Sequence, residues 1–292
     1  YNAVFDRFHR RFIRDNYACV PGRGTHDGMR RVSGFARSIT RNWSRPAYVL
    51  KADVANFFNA IDRLLLLDLT LKYVHEDWLR SLIRQVALHD PTTNFQARSP
   101  KTLFDQVPRR KSLFHAGPNK GLPIGNLTSQ FFANVYMNPL DQFVKHKLKA
   151  RYYGRYVDDM ILFHEDPDVL NDWYAQIDQF LQEKLLLNLH HKKKHLNLAD
   201  KGIDFTGFII KPGRTYLRQA TVDHCKQKIR AWKRKGAPID PESLKNLSEG
   251  VNSYLGMLRQ VSGYNAREKI CKQVESLFLL SDAECTKIKP LV

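Results

Sequence analysis

The feature that most constrains this chain is a pair of adjacent carboxylates with apolar, β-prone residues on both sides. It sits in Gly154-Arg155-Tyr156-Val157-Asp158-Asp159-Met160-Ile161-Leu162-Phe163. The pattern reads as strand, tight turn, strand. Two neighbouring carboxylates repel each other, and packing alone gives no reason to place them at a turn. Asp is common in solvated turns because its side chain hydrogen-bonds the local backbone. A pair of divalent cations supplies a second reason, since Mg²⁺ is a hard ion that takes carboxylate oxygens. The rest of the chain decides between the two.

A third carboxylate lies upstream. Ala47-Tyr48-Val49-Leu50-Lys51-Ala52-Asp53 reads as a buried strand that ends in an acid, and Val54-Ala55-Asn56-Phe57-Phe58-Asn59-Ala60-Ile61-Asp62 then turns into a helix. An Asp at a strand's carboxyl end, followed by small residues and an aromatic, suits a metal ligand with backbone amides free for a triphosphate. A helix N-cap is the plainer use of the same residue. Asp53, Asp158 and Asp159 come from two places that one sheet surface can unite. Three carboxylates suit a two-metal site for in-line nucleotidyl transfer.

Charge points the same way. The 292 residues carry a net charge of +18 with a pI near 9.8. Such an excess is self-repelling unless a polyanion is usually present, so nucleic acid is the first partner to consider. A membrane surface competes less well, because the basic residues are dispersed rather than arrayed on one amphipathic helix. Leu64-Leu65-Leu66-Leu67 is too short to span a bilayer, and Tyr1 to Arg14 mixes charge with aromatics unlike a signal peptide. Cys19, Cys225, Cys271 and Cys285 stand far apart without zinc spacing and read as thiols of a reducing cytosol.

Taken in order, 1–13, Asp27 to Thr40, 64–88 (two helices), a long helix opened by 121–130 and running through about Lys149, and Pro167 to Leu187 have helical periodicity. Thr128 or Ser129 is a candidate cap for the helix that runs through about Lys149. Residues 89–120 break the pattern with four prolines and the cations Lys101, Arg109, Arg110 and Lys111. That is long for a loop, so it is either an insertion with a job or poorly ordered. Asp204 to Ile210 and Thr215 to Arg218 read as a hairpin across Pro212-Gly213, and Val222 to Leu280 as helical and basic, with a linker at Pro238-Ile239-Asp240-Pro241. Lys226, Lys228, Arg230, Lys233, Arg234 and Lys235 crowd one stretch of it and are expected to face nucleic-acid backbone.

The motifs together carry a resemblance. Asp53 with Phe58 five residues on is followed by Gly-Leu-Pro-Ile-Gly-Asn-Leu-Thr-Ser-Gln at 121–130, Tyr-Val-Asp-Asp at 156–159, Lys193, and Phe-Thr-Gly-Phe at 205–208. The set resembles a bacterial reverse transcriptase. It is most similar to the diversity-generating-retroelement type and related standalone, phage-defence-associated enzymes, which share the Tyr-Ala-Cys…Gly-Thr-His signature seen at 17–26. The likeness runs in order from Tyr17 to Arg218.

What the resemblance implies is an α/β (α+β) right-hand polymerase with fingers, a palm sheet and a short helical thumb. Fingers and palm would occupy 1–218, with the loop insertion at 89–120, and the basic helical thumb 219–292. The activity would be RNA-directed DNA synthesis with two Mg²⁺ ions, or Mn²⁺ in their place. Asp53, Val54, Asp158 and Asp159 would hold the ions, and Lys193 would be the leaving-group acid, with Lys192 and Lys194 competing for that role. Val54, Ala55, Asn56, Phe57 and Phe58 would line the nucleotide site, with Phe58 as the gate against a ribose 2′-hydroxyl. Gln130 would touch nucleotide and template. Phe205, Thr206, Gly207 and Phe208 would form the primer grip, and Lys226, Arg230, Lys233, Arg234 and Lys235 would bind nucleic acid. The family's basic triphosphate contact lies upstream of the Tyr17 segment, so either the chain is truncated or Arg23 and its neighbours serve; Val20 also stands where the family often has a basic residue.

Partners would be an RNA template, a DNA primer and product, dNTPs, a structured non-coding RNA and an accessory protein, in the cytoplasm and without a membrane. Nothing suggests an endonuclease, RNase H or maturase module. The alternatives are an RNA-directed RNA polymerase, against which Phe58 argues, and a non-catalytic nucleic-acid-binding scaffold on a polymerase fold.

Overall fold

The computed structural model of the chain describes residues 2–234 and 240–291. It packs as two units, Tyr1–Leu198 and Ala199–Val292. The packing division therefore precedes the expected 218/219 boundary, because the strands at 203–217 pair among themselves and lie against the helices that follow them.

The first unit is built on a four-stranded sheet: β1 (Tyr48–Asp53), β2 (Tyr153–Tyr156), β3 (Asp159–His164) and β4 (His195–Leu198). The spatial order is β2-β3-β1-β4, antiparallel throughout. Met160, Ile161, Leu162 and Phe163 of β3 are all buried, so the strand is covered on both faces and reads as a continuous apolar run. On one face Leu50, Ala52, Met160 and Leu162 join the main core with α6 (Leu127–Gln142) and α7 (Pro167–Leu185). On the other, Phe163 meets the ring of Phe35 edge-on at 6.4 Å. Phe35 belongs to α2 (Thr25–Ile39), the helix after α1 (Asn2–His9).

Between β1 and α6 come the single turn α3 (Phe57–Ala60), α4 (Arg63–Leu71) and α5 (Asp77–Leu88). Asp62 caps α4 by accepting from the amides of Leu64 and Leu65, and Asp166 with Pro167 opens α7. Helix α6 starts at Leu127 after Asn126, with neither Thr128 nor Ser129 as its cap, and runs on through a π-helical turn at Phe143–Lys147. The 89–120 insertion forms no strand or α-helix. It gathers around Phe95, Phe104 and Phe114, whose ring centroids lie 5.2–6.1 Å apart, and places a 3₁₀ turn at Arg109–Lys111.

In the second unit β5 (Ile203–Phe205), β6 (Phe208–Lys211) and β7 (Arg214–Leu217) form an antiparallel meander. The stretch 204–210, expected as one strand, is two, because Thr206 (φ +49) and Gly207 (φ +88) make a hairpin turn. Helices α8 (Gln219–Arg234), α9 (Pro241–Arg259) and α10 (Tyr264–Cys271) follow. Val222, Cys225 and Ile229 are buried along α8, which packs on α9, and Trp232 donates from Nε1 to Ser243 Oγ of α9 at 2.9 Å. The chain does not stay helical to Leu280. Phe278–Leu280 (β8) pairs with Ile288–Pro290 (β9), burying Phe278 and Ile288. No helix among the described residues is long and apolar enough to cross a membrane.

Candidate active site

The sheet register brings the carboxylates together. Tyr156 at the end of β2 pairs with Asp159 at the start of β3, leaving Val157-Asp158 as the turn. Asp53, the last residue of β1, lies directly opposite Asp159. Opposed residues of an antiparallel pair share a face with Cβ atoms about 5 Å apart, and like charges so placed repel. The consequence falls on Asp158. Its carboxyl is pushed up to about 6, first by burial and then by the charges of Asp53 and Asp159.

Two ammonium groups offset this crowding. Lys193 Nζ donates to Asp53 Oδ2, and Lys51 Nζ stands 3.2 Å from Asp159 Oδ2. The hydrogen bond it donates to Asp53, then the charges of all three acids, raise the Lys193 pKa. Backbone pairing delivers Lys193: His190 N donates to Asp53 O, Ala55 N to Asn188 O, and Val54 bridges Leu189. Of the three consecutive lysines only Lys193 reaches the acids in an ion pair. Lys194 instead bonds Asn171 Oδ1 and lies over the Tyr174 ring.

Asp53, Asp158, Lys193 and Phe58 line one cavity of about 350 Å³, together with Val54, Asn56, Phe57, Asn59, Ile124 and His190. Arg110 and Lys111 from the insertion complete its lining. Asn56, in the left-handed region at φ +48, turns the chain out of β1 so that Phe57 is buried and Phe58 remains half-exposed. The Gly-Leu-Pro segment braces this turn: Leu122 N donates to Phe58 O and Gly121 N to Ile61 O, each at 2.8 Å. Gly121 has φ +87, and a Cβ there would stand 2.3 Å from Leu113 Cδ1, so the position requires glycine. Asn59 Nδ2 donates to Arg110 O at 3.1 Å, which ties the basic turn next to Phe58.

A family model described as reverse transcriptase (RNA-dependent DNA polymerase) matches residues 4–210. The chain belongs to the reverse transcriptase family. No curated protein sequence matches it significantly. Solved structures similar to it include apo telomerase from Candida tropicalis, at 16% identity and a TM-score of 0.49 over 93% of this chain and 50% of that one. Telomerase from Candida albicans in complex with a fragment of telomeric RNA gives 12% and 0.46, over 86% of this chain and 44% of that one. The Candida tropicalis enzyme without its C-terminal domain gives 15% and 0.44, over 72% and 41%. The chain thus spans half or less of each, and these loose likenesses do not bear on the site.

Reverse transcriptase domains in general use divalent metal ions. The donor set fits such a group: Asp53 and Asp159 stand opposite each other with Asp158 on the turn, and a cation relieves the repulsion that adds to burial in raising Asp158. Among the described residues no group of three or more His, Cys, Asp or Glu is gathered to hold an ion; Lys193 and Lys51 hold two of the three acids in ion pairs instead.

The remaining expected site residues of this reverse transcriptase are more dispersed. Arg23 does not line the cavity. Its guanidinium donates to Ile13 O at 2.7 Å and Asn16 O at 3.4 Å, which ties the loop to the preceding segment. Tyr17 N donates to Arg155 O and Arg155 N to Asp15 O, so 15–17 runs beside β2, and a Cβ on Gly154 would stand 2.8 Å from Tyr17 Cε2. The Tyr-Ala-Cys segment is therefore a brace for the hairpin. Gln130 is exposed at the start of α6, outside the cavity lining, and accepts from Cys19 Sγ. Phe205 and Phe208 are fully buried in the second unit on either side of the Thr206-Gly207 turn. Lys226 lies on α8, half-buried with Asp223 at 3.9 Å, while Arg230, Lys233 and Arg234 are exposed there. Lys235 lies outside the described residues. Sequence reasoning missed Arg110, Lys111, Asn59, Ile124 and His190 as cavity residues; the basic character of 109–111 was the one available signal.

Proposed function

We propose that the chain is the polymerase portion of a reverse transcriptase and copies RNA into DNA by nucleotidyl transfer. The observation that carries this is the register that sets Asp53 opposite Asp159, with Asp158 on the turn and Phe58 in the same cavity. Asp53, Asp158 and Asp159, with Val54 beside them, would hold two divalent ions, Mg²⁺ first. Bound there, the ions lower the pKa of the primer 3′-hydroxyl and neutralise phosphoryl charge. Lys193, already held as an ammonium by Asp53, serves as the acid for the departing pyrophosphate. Arg110 and Lys111 take the nucleotide's polyphosphate, a charge-assisted role that suits two cations in the cavity wall. Phe58 excludes the ribose 2′-hydroxyl, and Gln130 contacts nucleotide and template. In this reading 1–218 serve as fingers and palm with Phe205 to Phe208 as the primer grip, and 219–292 as thumb.

The motifs at 17–26 and 121–130 support a bacterial setting, phage defence or a diversity-generating retroelement, with a structured RNA and an accessory protein as partners. The free thiols of Cys19, Cys225, Cys271 and Cys285 suit the cytoplasm. Sequencing nucleic acid co-purified with the protein tests the setting. Primer extension on an RNA template tests the activity: dNTP incorporation with Mg²⁺ is expected, falling to background in Asp158→Ala/Asp159→Ala while RNA binding persists. Preference for rNTPs would favour an RNA polymerase. Extension by the double variant at the native rate would remove the carboxylates from the chemistry.

A further inference from the structure

One buried cation has no part in the chemistry just described. Arg155 is the largest fully buried side chain among the described residues. Its Nε and Nη2 donate to the two oxygens of Asp141 at 2.8 and 2.6 Å, and its Nη1 donates to Val157 O at 2.6 Å. Asp141, on the last turn of α6, is also fully buried and accepts from the Tyr153 hydroxyl at 2.7 Å. Two helical turns earlier, Asn134 Oδ1 lies 3.5 Å from Arg155 Nη1 and accepts from Asn16 Nδ2, while Asn134 Nδ2 donates to Ala18 O. Burial works against the Arg155 charge, and Asp141 more than offsets it, so the guanidinium stays ionised.

Stability alone does not account for this arrangement, because a well-packed apolar pair of similar volume is often as stable as a buried ion pair. The third donor is the informative one. It goes to the carbonyl of Val157, a β-branched residue held at φ +55 immediately before Asp158. Such a residue is strained in the left-handed region and stays there only when its surroundings hold it. A guanidinium is a rigid planar fork, so anchoring two of its nitrogens on Asp141 fixes where the third points.

We propose that Arg155 is a positioning residue: anchored on Asp141, it locks the Val157 carbonyl and through that peptide sets where the Asp158 and Asp159 carboxylates stand. Its effect on rate rests on the polymerase reading; its effect on the hairpin does not. Removing either partner alone leaves an unpaired buried charge, and those variants are expected to lose thermal stability. The deciding variant is therefore Arg155→Met/Asp141→Leu, which removes both charges and refills the volume.

The double variant leaves the Tyr153 hydroxyl without its acceptor and should melt below wild type but above either single variant. Its kcat should fall about 10²-fold, the loss that a misplacement of about 1 Å produces. KM for dNTP should change little, since a group acting only on the chemical step lowers kcat and kcat/KM together. In hydrogen exchange followed by mass spectrometry, the segment 152–160 should exchange faster than in wild type while α7 is unchanged. Arg155→Lys, which keeps the charge on a single donor group, should fall between. A double variant with native kcat and native exchange at 152–160 would show that the pair only packs α6 against β2, and the proposal would be wrong. A double variant that cannot fold would make the pair a folding element and equally overturn it. The exchange measurement needs no turnover, so an inactive wild type would defeat the polymerase reading while 152–160 still decided the role of Arg155.

Discussion

Charge is used in two different ways in the two units. Around the hairpin the carboxylates are buried or half-buried, and three of them have a named cationic partner: Asp53 with Lys193, Asp159 with Lys51, Asp141 with Arg155. On α8 the buried stripe of Val222, Cys225 and Ile229 leaves Arg230, Lys233 and Arg234 in solvent, with no carboxylate partner among the described residues. In the first region a charge acts through its place, set by register and hydrogen bonds, so moving one group disables the others. In the second it acts through number, so each substitution subtracts an increment. Substitutions chosen along this division either sharpen it or break it.

The largest effect expected beyond the carboxylates themselves is at Arg110 and Lys111, which sit in the insertion yet belong with the placed charges. If they hold the polyphosphate, Arg110→Ala/Lys111→Ala should lower kcat/KM for dNTP about 10²-fold or more, because each hydrogen bond to a charged group contributes about 1.5–3 kcal/mol. Most of the loss should appear in KM, with template-primer affinity near native. Steady-state kinetics with varied dNTP checks this. A purely additive, salt-dependent loss of nucleic-acid affinity would instead move these two cations to the α8 class.

A smaller effect is expected at Phe58, where shape rather than charge is placed. Phe58→Val should raise rNTP use relative to dNTP by about 10- to 10²-fold, the range that apolar pocket contacts typically discriminate. Competition between rNTP and dNTP on one template reads it directly. Unchanged selectivity would take the ring out of the sugar site and reopen the RNA-polymerase alternative.

What was legible in the sequence follows the same division. The strand ending at Asp53 and the 156–159 hairpin show as apolar runs broken by acids, a local pattern. The 204–210 stretch misled because apolar, β-prone residues run up to Thr206-Gly207 and resume behind it, which masks the turn signal of Gly207; the pairing of Phe205 with Phe208 reveals the turn. The β8–β9 pair was hidden because its strands are three residues long and seven residues lie between them. Arg155 and Asp141 were invisible for a deeper reason. A lone arginine beside a tyrosine looks like surface, and what buries it is a helix whose contact depends on the whole core. Arg110 and Lys111 reach the cavity through a side-chain bond from Asn59, a contact between residues 51 positions apart that no local pattern encodes.

The smallest effect belongs to α8, and there the comparison is most easily broken. If its exposed cations meet successive phosphates, Arg230→Gln should reduce the slope of log affinity against log salt by about 0.9 and weaken template-primer binding about fivefold at 0.15 M salt. The loss should be the same on unrelated sequences, since phosphate contacts carry no sequence information. Lys226 provides the internal control. Half-buried beside Asp223, it already has a counter-charge, so Lys226→Gln should change the slope less than Arg230→Gln does. Neither should alter single-turnover chemistry at saturating duplex, because neither lines the cavity. Salt-titrated binding of both variants measures the pair. Equal, unaltered slopes would mean that α8 is a solvated face; a larger effect at Lys226 than at Arg230 would mean that charge on this helix, too, acts through its place.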